Sequence, residues 1–177
     1  MPFEGKVGQL IESSATPLVV GDTVIGSTVT GGSIAVKATE KDGKFSTETA
    51  WFVKKLTCYF STPVVVGEHL YMINGAATLS NPTITLRCVE LKTGKVAWEK
   101  ADVGKYHAAV VRCGPAGKEQ LLMLDDKGHL TLFAADAKGY KELARSKVCG
   151  ETWAHPAVVD GRVYLRDDKE LICIPLK

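Results

Sequence analysis

The chain has 177 residues, with 22 Lys plus Arg against 20 Asp plus Glu, and the resulting net charge of +2 excludes a nucleic-acid binder that relies on bulk positive charge. Charged residues make up 24% and hydrophobic ones 45%, too apolar for a disordered chain. No apolar run approaches the roughly 20 residues that a membrane helix needs, and Met1-Pro2-Phe3-Glu4-Gly5-Lys6 has no apolar core of a signal peptide.

In chain order, the first element is a short strand within 5–11, Gly5-Lys6-Val7-Gly8-Gln9-Leu10. Then comes Thr16-Pro17-Leu18-Val19-Val20-Gly21-Asp22, a short apolar run closed by a tight turn. It returns as Thr62-Pro63-Val64-Val65-Val66-Gly67-Glu68, weakly as Ala108-Ala109-Val110-Val111, and again as His155-Pro156-Ala157-Val158-Val159-Asp160-Gly161. The anchors at 17, 63, 109 and 156 are separated by 46, 46 and 47 residues, an internal repeat of the length that marks propeller blades.

Each unit reads as short strands divided by turn chemistry. In the second, Pro63 to Val66 and His69 to Ile73 flank Gly67-Glu68, and a loop runs from Asn74-Gly75 to Asn81-Pro82. Thr83 to Leu91 alternates, with Ile84, Leu86 and Cys88 on one face. Lys92-Thr93-Gly94-Lys95 is a hairpin turn, and Val96-Ala97-Trp98 a fourth strand. The first unit has its last turn at Lys41-Asp42-Gly43-Lys44; the third carries an insertion at Gly114-Pro115-Ala116-Gly117-Lys118. Residues 138–147 read as turn plus outer strand, and the fourth unit holds three strands.

The expected fold is all-β: one domain over 1–177, a four-bladed β-propeller with four antiparallel strands per blade. Blade 1 spans about 16–53, blade 2 about 62–101, blade 3 about 108–147, and blade 4 about 155–177, closed by the N-terminal strand from 5–11. Such closure removes the open edges that invite aggregation.

The segment Cys88-Val89-Glu90-Leu91-Lys92-Thr93-Gly94-Lys95-Val96-Ala97-Trp98 resembles the repeat motif A-x-D-x-x-T-G-K-x-x-W of quinoprotein-like propellers, the PQQ-like-repeat or BamB-like family of bacteria. Thr93, Gly94, Lys95 and Trp98 match, while Cys88 stands for the Ala and Glu90 for the Asp. The openings of blades 2 and 4, which lead to Tyr71 and Tyr164, look like the same family, and the other blades lack the full signature. The resemblance implies that Trp98 docks on a neighbouring blade near the Gly of the next turn. Relatives usually have seven or eight blades, so the resemblance also implies half of a larger propeller, or a small one that forms a homodimer of eight blades.

The loops that lead into the innermost strands, 12–16, 54–62, 103–108 and 148–155, are expected to converge on one face. They carry the candidate binding residues Tyr59, Ser61, Tyr106, His107, Glu151, Trp153 and His155. Aromatic and His side chains are not needed to make turns, and aromatic walls with a few polar groups suit a ligand site. Packing at the blade joints is the competing reading, and exposure separates the two. Ser61 with His107 or His155 and Glu151 has the composition of a hydrolytic triad. It lacks a G-x-S-x-G setting, so no catalytic residue is expected.

Quinone catalysis, the alternative function as a fragment of a pyrroloquinoline-quinone-binding oxidoreductase, would in many relatives use adjacent cysteines, and this chain has none. Asp125-Asp126 and Asp167-Asp168 read as turn residues. The five cysteines, Cys58, Cys88, Cys113, Cys149 and Cys173, are odd in number and form no C-x-x-C, which supports neither a disulfide scaffold nor a zinc site. Cys88 and Cys173 read as small core residues, whereas Cys58 and Cys149 lie in loops. The compartment is reducing and cytoplasmic as the chain stands, or periplasmic or secreted if it is part of a longer exported protein. The expected function is a non-catalytic binding or scaffold propeller for a protein or small-molecule ligand. No cofactor, metal, nucleic acid or membrane span is expected.

Overall fold

The computed structural model describes residues 15–58, 60–75 and 83–176. The strand proposed within 5–11 and candidate residue Tyr59 lie outside them. The described residues form fifteen strands in four antiparallel sheets and no helix, so none is long and apolar enough to cross a membrane.

Each sheet is a meander in sequence order. The first contains β1 (Leu18–Val20), β2 (Thr23–Thr28), β3 (Gly32–Lys41) and β4 (Lys44–Val53). The second contains β5 (Val64–Val66), β6 (His69–Gly75), β7 (Ile84–Glu90) and β8 (Val96–Lys100). The third contains β9 (Ala108–Cys113), β10 (Gln120–Asp125), β11 (His129–Ala134) and β12 (Glu142–Lys147). The fourth holds β13 (Ala157–Val159), β14 (Arg162–Arg166) and β15 (Leu171–Pro175).

Alternation gives the inner strands two apolar faces, and successive sheets stack through them. Ile25, Ala35 and Trp51 of the first sheet pack on Leu70, Met72 and Val89 of the second. The other face of the second sheet, with Tyr71, Ile73, Ile84, Leu86 and Cys88, packs on Val110, Leu121, Met123 and Phe133 of the third. Leu124 and Leu130 meet Val163, Leu165, Ile172 and Ile174 of the fourth. No apolar cluster among the described residues joins the fourth sheet back to the first, so no closed ring is formed by them.

Aromatic side chains fix the joints. Trp51 donates its indole N–H to the Leu91 carbonyl, 2.9 Å away, and lies over Gly94. A Cβ on Gly94 would stand 2.7 Å from that ring, and Gly94 has φ 70°, so this turn needs glycine twice over. Trp98 donates to the Asp136 carbonyl at 2.7 Å and meets Tyr71 and Tyr140 with ring centroids 6.0 Å apart in each case.

Two features depart from the sequence expectation. β3 and β4 are ten residues each, and beyond Lys37 they form an arm exposed on nearly every side, with Phe45 80% exposed near its tip. The arm turns at Asp42 and Gly43, φ 54° and 74°, both left-handed as a two-residue hairpin requires. Cys173, expected in the core, is exposed. It pairs across strands with Tyr164, on the side of the fourth sheet away from Val163, Ile172 and Ile174. All five cysteines are free; Cys58, by contrast, is buried, and burial pushes its thiol up to about 12, which leaves it inert.

Candidate functional site

A polar side chain near the end of each second strand holds an entry loop through its backbone N–H groups. Ser27 Oγ accepts from Cys58 N–H at 2.9 Å, and Asn74 Oδ1 accepts from Thr57 N–H at 2.9 Å. The two carboxylate oxygens of Asp126 accept from Lys105 N–H at 3.1 Å and Tyr106 N–H at 2.7 Å. Asp167 accepts from Gly150, Lys169 and Glu170 N–H at 2.7, 2.8 and 2.9 Å, and these bonds hold its carboxyl below the usual range. Thr152 donates its hydroxyl to the Arg166 carbonyl at 2.6 Å, and its N–H to the Asp126 carbonyl at 3.2 Å. The loops of the second, third and fourth blades are therefore fastened to the sheets, and Asp126 also ties the third-blade loop to the fourth-blade loop.

The side chains they carry form one aromatic cluster. Trp153 stacks on His107 with centroids 5.9 Å apart and planes at 22°. Phe60 lies 5.3 Å from Trp153 and 6.0 Å from His107, Tyr106 lies 6.2 Å from Trp153, and His155 lies 5.8 Å from His107. Lys105 places its ammonium 5.0 Å from the Tyr106 ring centre, within cation–π range.

The cluster is layered. His107 lies at the base, 4% exposed, while Trp153 above it is 53% exposed and Tyr106 36%. His155 is exposed as well. Burial, reinforced by neighbouring His155 and opposed by Asp126, brings His107 down to about 4, so it is neutral at pH 7. Its Nε2 is buried without a hydrogen-bond partner. Such an atom costs about 1–3 kcal/mol.

Of the candidates read from sequence, Tyr106, His107, Trp153 and His155 come together here. Ser61 is buried, with its hydroxyl committed to the Ala108 carbonyl, so it secures the loop and presents nothing to a ligand. Glu151 is exposed beside the cluster and takes no part in its ring contacts. Phe60 was missed, although it sits between Tyr59 and Ser61 and carries the same surplus aromatic signal.

The residues do not suit a quinone with its cation. The chain has no adjacent cysteines, and among the described residues no group of three or more His, Cys, Asp or Glu could hold a metal ion. Asp125 is engaged by Lys127 N–H, His129 and Arg145, and Asp167 by three backbone N–H groups, which leaves neither as a free base.

No protein-family profile matches the chain, and no curated protein matches it by sequence. Among solved structures it is similar to BamB from Moraxella catarrhalis, with TM-score 0.62 and 15% identity over 96% of this chain and 46% of that one. It is also similar to Drosophila Plexin A, solved in complex with Semaphorin 1b, with TM-score 0.50 and 9% identity over 92% of this chain and 55% of that one. The chain spans about half the length of each. At these identities the likeness concerns the fold alone: an all-β, propeller-like stack of antiparallel sheets of three or four strands.

Proposed function

We propose that this chain is a non-catalytic binding module, a propeller with PQQ-like repeats whose entry-loop face takes a protein partner. The observation that carries the reading is the layering of the face. Tyr106 and Trp153 expose large rings above a buried neutral His107, whose Nε2 has no partner. Rings held only for packing would be covered and satisfied; rings held on pinned loops and left open suit recognition, because aromatic anchors dominate interface energetics. One solved neighbour, Plexin A, was determined in a complex with another protein, which fits the reading.

The repeat spacing and the open end of the stack favour four blades as half of an eight-bladed ring. A photo-crosslinking residue at position 153, compared with one at Lys92 on a hairpin turn, tests the module. A partner captured from the source organism at 153, absent at 92 and lost when Tyr106 is replaced by Ser, supports it. Bound pyrroloquinoline quinone with calcium-dependent dye reduction would replace it with an oxidoreductase.

A further inference from the structure

We propose that the outer faces of the first and fourth blades are the two sides of one blade joint, and that a second copy of this chain closes it, head to tail. The proposal rests on the half-ring reading.

The fourth blade repeats, on its bare side, a face that is buried inside the stack. In the second blade Tyr71 and Cys88 are cross-strand partners facing the third, 1% and 0% exposed, with Tyr71 set against Trp98 and Phe133. Tyr164 and Cys173 are the same pair on the corresponding strands of the fourth blade. Each Tyr lies at the same distance from its blade's anchor, Pro63 or Pro156. Tyr164, however, is 37% exposed, Cys173 is exposed, and Val159 and Leu171 lie bare beside them. Arg162 and Arg166, two positions either side of Tyr164, share this face and are exposed, and Arg162 Nη1 lies 3.9 Å from Cys173 Sγ, so the face copies the Tyr–Cys pair of the buried joint and carries a cationic rim. Exposed apolar side chains rimmed by polar ones mark an interaction surface.

The other end of the stack offers the matching side. Ile25, Ala35 and Trp51 face the second blade, so by alternation Val24 and Phe52 face away, with Val19 paired to Val24. Val19, Val24 and Phe52 are all exposed, and Ile34, on the same face, is buried. The two faces belong to one chain and differ from each other, so in a dimer with a two-fold axis the fourth-blade face of each copy meets the first-blade face of the other, which makes two identical seams and closes the ring.

Sedimentation velocity on the full chain tests the proposal. The expected species is about twice 19.0 kDa. Because each seam uses both faces, Tyr164→Glu and Val24→Glu must each reduce it to monomer while the strand signal in circular dichroism is retained. If either variant stays dimeric, the pairing is face to like face and the head-to-tail contact is wrong. A wild-type monomer at every concentration also overturns the proposal. The reactivity of Cys173, the one exposed thiol, then separates the two readings. A monomer with a fast-reacting Cys173 sinks only the second copy, whereas a monomer that shields it has closed on itself and sinks the half-ring. In the dimer, Cys173 should react slowly in wild type and quickly in Val24→Glu.

Discussion

The indole of Trp51 reaches across the first blade joint to the carbonyl of Leu91, 2.9 Å away. Trp98 repeats the arrangement at the next joint, on Asp136. Trp51 pairs with Ala35 and Trp98 with Cys88, and each pair is followed by a shift in strand register. The third blade has the same shift after Leu132 and Ala144, so alanine stands there at the position that tryptophan holds in the first two blades.

Trp51 is therefore the wedge of the first joint. Trp51→Phe keeps most of the packing but leaves the Leu91 carbonyl without its donor, at a cost of about 1 kcal/mol. Trp51→Ala also opens a cavity, and should cost about 3–5 kcal/mol. Urea unfolding of the two variants measures the difference; equal losses would show that the hydrogen bond, and not the ring, carries the joint.

Asp126 positions Tyr106. Its two carboxylate oxygens accept separate backbone N–H groups, and an amide can present only one acceptor oxygen. Asp126→Asn should lower stability by about 1–3 kcal/mol and raise the hydrogen-exchange rate at Tyr106 while leaving exchange in β14 unchanged. Unaltered exchange at Tyr106 would show that the loop is held by other contacts.

His107 makes stability depend on pH in a defined direction. Its folded value of about 4 lies below the ordinary 6.5, so the unfolded chain binds the extra proton between these values. Stability is therefore full above about pH 6.5 and falls as pH drops toward 4. His107→Phe, which retains a ring beneath Trp153, should flatten this part of the profile relative to wild type in denaturant titrations at a series of pH values. Asp126 and His155 face the same imidazole and remain in both proteins, so the difference isolates His107. Parallel profiles would place the charged imidazole in water.

The sheets were legible in the sequence because Gly-containing turns and strand alternation such as Ile84, Leu86 and Cys88 act over a few residues, and the same pattern returns every 46 or 47 residues. The length of the β3–β4 arm was not, since Lys37 to Thr49 carries charged and hydroxyl residues on both faces, and Lys, Glu and Asp are weak strand formers that do not mark two ten-residue strands. Cys173 misled because alternation tells which residues share a face and not whether a neighbour covers it. The aromatic loop residues stand out as a surplus over turn chemistry, but Ser61 stands out equally, and only its bond to the Ala108 carbonyl, 47 positions away, shows that it is a structural residue.

Under the proposed function, the open rings of the entry-loop face are the surface that the partner binds. The most direct measurement is the affinity of the partner captured through position 153, by calorimetry, for wild type and for the Tyr106→Ser, Trp153→Ser double variant. Loss of two aromatic anchors at about 2 kcal/mol each predicts weakening by roughly 1,000-fold, with the urea midpoint little changed because Trp153 and Tyr106 are largely outside the core. An unchanged affinity would leave the cluster as packing between blades and remove the binding face.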